Sequence, residues 1–106
     1  MQLPKSIKIG FHNYEVVFPH DDPQNEYLGD TYAPNNMMRI SEYSNNKKLP
    51  DSSILQTLIH EILHAIDSKS DLDIFAGDRK EERLNGLAHW LCMVMSANKE
   101  LMDLFR

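Results

Sequence analysis

The chain has 106 residues, the size of one ordinary domain, and its 42% hydrophobic and 25% charged content is globular rather than disordered or fibrous. A net charge of −5 without any basic stripe excludes a nucleic-acid binder that works by neutralising phosphates. Cys92 is the only cysteine, so no internal disulfide forms, and the longest apolar run, Trp90 to Met95, is far too short for a membrane span.

The N-terminal stretch is interrupted early by Pro4 and Lys5 and lacks the apolar core of a signal peptide, so the expectation is one domain, residues 1–106, in the cytoplasm. Ser6 to Ile9 alternates polar and apolar residues, and Tyr14 to Phe18 is rich in β-branched and aromatic ones. Both read as strands, with Gly10 to Asn13 as the turn between them. Pro19 to Pro23, which carries His20, Asp21 and Asp22, has loop chemistry. A second hairpin is expected from Glu26 to Tyr32, a turn at Pro34 to Asn36, and Met37 to Ser41; Asn45 to Pro50 reads as a polar loop.

The second half reads as helices. Asp51 to Ser53 supplies N-cap candidates, and Ser53 with Gln56 has capping-box spacing. Leu55, Leu58, Ile59, Ile62, Leu63 and Ile66 then recur with helical period to an end near Asp67 to Ser70. Asp71 to Gly77 is a connection. A second helix is expected from Asp78, with Leu84, Leu87, Ala88, Leu91, Val94 and Met95 as its buried stripe; Asn98 interrupts it, and Lys99 to Phe105 forms a last short turn or helix. Strands followed by helices predict an α+β fold in which helices cover one face of a small antiparallel sheet.

Within the first helix stands His60-Glu61-Ile62-Leu63-His64, an H-E-x-x-H pattern. Residues four apart lie one turn apart on one face, so both imidazoles can reach a single Zn2+ ion at about 2.0–2.1 Å. Glu61 follows the first histidine, where its carboxylate can act as general base on a zinc-activated water without being a ligand. A catalytic zinc takes three protein ligands. The metzincin pattern needs a glycine at 67 and a histidine or aspartate at 70; Asp67 and Ser70 stand there, which excludes that class. The acidic pair Glu81-Glu82 is the next source. Glu81 shares a face with Leu84, Ala88, Leu91 and Met95, and Glu82 a more polar side with Asn85 and His89, which favours Glu81. Asp78 and Glu81 also have capping-box spacing, so the choice between ligand and cap stays open.

Asn85 reads either as a hydrogen-bond partner of a liganding histidine or as a solvated residue. His89, His12 and His20 read more simply as structural, Asp71 and Asp73 as fallback ligands, and Tyr27 and Tyr32 as undistinguished hydroxyl donors. Met93 and Met95 are expected as core filler and Cys92 as a buried small hydrophobe. Met37 to Ser41 is a candidate edge strand for an extended peptide.

The order of an N-terminal strand pair, Thr57 to Ile66 around the motif, Glu81-Glu82, and an apolar helix closing near Asn98 resembles the small zincin-like metallopeptidases of phages and prophages, related to the ImmA/IrrE-type, gluzincin-like proteins. The resemblance implies a minimal zincin fold, with a small antiparallel sheet on the active-site helix and a second, C-terminal helix. It also implies His60, His64 and Glu81 as zinc ligands and Glu61 as base. The function expected is hydrolysis of a peptide or protein substrate. The competing expectation is a non-catalytic, zinc-stabilised interaction module of phage origin. Asn85 stands where relatives often carry an acidic residue.

Overall fold

Residues 1–18, 28–73 and 80–106 are described by the computed structural model, the side chains of Lys80, Glu81 and Leu84 excepted. Strands β1 (Ser6–Ile9) and β2 (His12–Val17) pair antiparallel through a turn at Gly10 and Phe11, two residues shorter than expected. Gly10 serves that turn twice over. Its φ is +62°, and a β-carbon there would come 2.9 Å from the Trp90 ring. β3 (Gly29–Tyr32) and β4 (Met37–Ile40) form the second antiparallel pair around the turn at Ala33–Asn35.

The two pairs do not join as a purely antiparallel sheet. β4 lies beside β2 and runs parallel to it, giving the order β1-β2-β4-β3, so the sheet is mixed. The physical reason is visible in the burial. Met38 and Ile40 are fully buried, as an interior strand requires, whereas β3 has half-buried and exposed residues and takes the outer position. Met37 to Ser41 is therefore not an edge strand. Residues 45–50 hold more order than a loop: β5 (Tyr43–Ser44) and β6 (Lys47–Lys48) form a small hairpin, with Asn45 and Asn46 both at positive φ, the backbone of a tight turn that asparagine tolerates.

Alternation puts Ile7, Ile9, Tyr14, Val16, Met38 and Ile40 on one buried face of the sheet. Helix α1 (Asp51–Ser70) packs that face through Ile54, Leu58, Ile62, Ala65 and Ile66. It begins at Asp51 with Pro50 as N-cap and no side-chain cap, so the Ser53–Gln56 capping box is not used. Pro50, at φ −59°, presets the entry, and the Ser53 and Ile54 amides bond its carbonyl.

Helix α2 (Lys80–Ala97) lies against β1 and α1, and α3 (Lys99–Asp103) follows the break at Asn98. Leu87, Trp90, Leu91 and Val94 face the core. Ala88 and Met95 are exposed, as are Met93 and Cys92; these four were expected to be buried. The helix has apolar residues at two overlapping spacings, and packing against β1 selects the stripe containing Trp90. Asn98 breaks the helix by turning its amide to the sheet. Its Oδ1 accepts from the Lys8 amide at 2.9 Å and its Nδ2 donates to the Lys8 carbonyl at 3.0 Å, closing the outer edge of β1. Among the described residues, no helix is long and apolar enough to cross a membrane.

Candidate metal centre

The centre is built where the middle of α1 meets β3. His60 and His64, one turn apart and both exposed, turn their rings together: the centroids are 4.7 Å apart and the planes meet at 72°. The two Nε2 atoms are separated by 3.1 Å. Two zinc–nitrogen bonds of about 2.0–2.1 Å meeting at the tetrahedral angle would set nitrogens roughly 3.3 Å apart. The pair therefore fits a shared zinc ion; the same distance also suits an N–H···N hydrogen bond between neutral imidazoles.

Glu61 behaves differently from its neighbours. It is only 4% exposed, and with Leu58, Ile62 and Ala65 it occupies the i, i+3, i+4, i+7 stripe that packs the core. Thr31 on β3 meets it there. The Thr31 hydroxyl donates to Glu61 Oε1 at 2.8 Å and lies 3.2 Å from the Glu61 carbonyl oxygen. Gly29, two residues earlier on the same face of β3, allows the approach, because a β-carbon at that position would be 3.2 Å from Glu61 Cγ. Above this contact opens a cleft of about 550 Å3, lined by residues that include Gly29, Asp30, Thr31, His60, Glu61, His64 and Asp67. The Asp30 carboxylate is paired with Arg39, its cross-strand neighbour, and that hydrogen bond holds the guanidinium above its ordinary pKa.

The rings of His60 and His64 are thus brought together, and Glu61 shares the lining of the same cleft. The side chain of Glu81 lies outside the described residues, as do His20 and Tyr27. Its preference over Glu82 rested partly on Ala88 and Met95 being buried, and both are exposed; Glu82, Asn85 and His89 are exposed as well. Asp71 is the C-cap of α1, at φ 56°, and both it and Asp73 are exposed; neither lines the cleft. His12 pairs with Ile9 in the sheet. Among the described residues, no group of three or more His, Cys, Asp or Glu side chains is gathered closely enough to hold a metal.

Asp67 and Thr31 are among the lining residues that were not anticipated. Asp67 stands three residues after His64 and seven after His60, so helical spacing alone marks it as sharing their face. Thr31 carries no such signal, because its partner lies thirty residues away on another element. A larger cleft, about 800 Å3, runs between residues 2–6 and 97–104, but among the described residues its lining contains neither histidine nor cysteine.

No protein-family model, curated protein or solved structure matches this chain, and the resemblance drawn from the motif rests on its own residues.

Proposed function

We propose that this protein is a zinc-dependent hydrolase of peptide bonds, with His60 and His64 holding the metal and Glu61 as general base. The observation that carries this reading is the convergence of the two Nε2 atoms, 3.1 Å apart, at a cleft walled by a buried carboxylate. A carboxylate in a core stripe costs more than the apolar residue that packing alone would select, even with Thr31 bonded to it, and a functional role accounts for its presence. Glu81 is the third ligand in this proposal; Asp67, in the lining beside His64, is the acidic alternative.

Zinc, when bound, supplies Lewis acidity that lowers the pKa of water towards about 7 and polarises a carbonyl. The chain's own groups do the rest. His60 and His64 orient the centre, and Glu61 accepts a proton from the attacking water and delivers it to the leaving amine. The substrate backbone is read by β3, whose outer side is unpaired among the described residues. The Ser41 amide bonds the Leu28 carbonyl, which makes that cross-strand pair a hydrogen-bonded one. Pairs alternate along an antiparallel ladder, so Gly29 and Thr31 turn their backbone N–H and C=O groups outward, where an extended peptide can add as a further strand.

The test combines metal analysis with hydrolysis of a quenched-fluorescent peptide library. Purified protein should carry one zinc, lost in His60→Ala and in Glu81→Ala; loss in Asp67→Ala in place of Glu81→Ala would move the third ligand to Asp67. Glu61→Gln should keep zinc and lose hydrolysis. A zinc-loaded wild type that cleaves nothing would leave the interaction-module reading in its place, and wild type without zinc would overturn both.

A further inference from the structure

The Thr31–Glu61 contact has a role that the motif alone does not provide. A carboxylate one residue from a liganding histidine is itself a competent zinc ligand by chemistry. The place of Glu61 on a different helix face from His60 favours the role of base, and a contact that fixes it there secures that role. Its Oε1 is taken by the Thr31 hydroxyl at 2.8 Å, and its side chain is buried between α1 and β3. Gly29 closes the same contact from two residues away: the space above Glu61 Cγ would be filled by any β-carbon there.

We infer that Thr31 is a positioning residue, whose hydroxyl clamps Glu61 to β3 and keeps its carboxylate out of the coordination set of His60 and His64. This rests on the metal-site reading above and extends it to a residue outside the motif. The hydroxyl has one proton, and the shorter of its two contacts is to Oε1, so the clamp is a single directed bond. Valine has the same shape without the donor, and serine keeps the donor without the methyl. The clamp also ties the base to the strand whose outward backbone groups at Gly29 and Thr31 face the proposed peptide, so base and substrate share one element.

The experiment titrates the full-length metal-free protein with Co2+, whose visible absorption reports coordination number, for wild type, Thr31→Val, Thr31→Ser, and Thr31→Val combined with Glu61→Gln. Releasing Glu61 adds a carboxylate ligand. Thr31→Val should therefore give a weaker, shifted visible band and bind Co2+ about tenfold more tightly, or 1.4 kcal/mol. Thr31→Ser should match wild type, and Glu61→Gln in the valine background should restore the wild-type spectrum. A role confined to folding would move the unfolding temperature but not the band. A Thr31→Val spectrum and affinity equal to wild type would overturn the clamp while leaving the metal site intact. If wild type binds Co2+ no better than His60→Ala, the metal reading fails and the clamp with it. Should Thr31→Val not fold by circular dichroism, Thr31→Ala is read by the same criteria.

Discussion

Replacing Gly29 by alanine tests whether the close approach of β3 to α1 is as tight as the geometry makes it. The new β-carbon would sit 2.7 Å from Thr57 Cγ2, 3.1 Å from the Arg39 carbonyl oxygen and 3.2 Å from Glu61 Cγ. None of these neighbours yields easily. Thr57 is held by its hydroxyl, which donates to the Ser53 carbonyl at 3.0 Å, and the Arg39 oxygen belongs to the adjacent strand. Overpacking of this kind costs about 1–3 kcal/mol. Against it stands a gain of about 0.5–1 kcal/mol from removing a glycine within a strand. The net expectation is a loss of about 1–2 kcal/mol, or roughly 5–10 °C in unfolding temperature for a domain of this size. Thermal unfolding of metal-free protein by circular dichroism measures it. Thr57→Ser removes the nearest methyl, so in that background Gly29→Ala should cost at most half as much. An unchanged or raised unfolding temperature for Gly29→Ala would refute the reasoning, since an unobstructed alanine in a strand stabilises.

Asn98→Ala should cost about 1–2 kcal/mol, because the Lys8 amide and carbonyl both lose their partner at the edge of β1; urea unfolding checks this, and Asn98→Asp should recover only the half that accepts from the amide. Tyr14→Phe should be neutral or stabilise by up to about 1 kcal/mol, because the Tyr14 hydroxyl is fully buried and, among the described residues, has no hydrogen-bond partner. Burial also raises the Tyr14 pKa above 10.0, so its contribution is fully present below that value and is lost as pH rises through the folded-state value. Alkaline unfolding should consequently begin at higher pH in Tyr14→Phe than in wild type, and coincident curves would count against it.

Local pattern carried much of this fold. The alternation in Ser6 to Ile9 and the helical spacing from Leu58 to Ile66 each found their element, because one face of each is buried and periodicity records that directly. Strand order was not legible. Whether Met37 to Ile40 lies at an edge depends on which neighbour it docks against, and its sequence is equally compatible with antiparallel and parallel partners. The stripe on α2 was met at Leu87, Leu91 and Val94 and missed at Ala88 and Met95, for a related reason. Met95 and Val94 are both apolar, and only the position of β1 decides that Val94 is buried and Met95 exposed.

The candidate site shows the same division at closer range. The motif places His60, Glu61 and His64 in sequence, but helical geometry assigns them to different faces, since Glu61 lies 100° around the helix from His60. The histidines fall on the exposed face, and Glu61 falls in the stripe with Leu58, Ile62 and Ala65 that an all-structural helix would fill with leucine. That position leaves the carboxylate dependent on a polar partner from the sheet, and Thr31 is the partner the fold delivers. Glu61 and Thr31 therefore constrain each other. An apolar residue at 61 would leave the Thr31 hydroxyl without its acceptor, and an apolar residue at 31 would leave a buried carboxylate oxygen without its donor. In the proposed site, helical geometry sets the carboxylate and the imidazoles on different faces, and the packing of β3 gives the buried carboxylate its hydrogen-bond partner in Thr31.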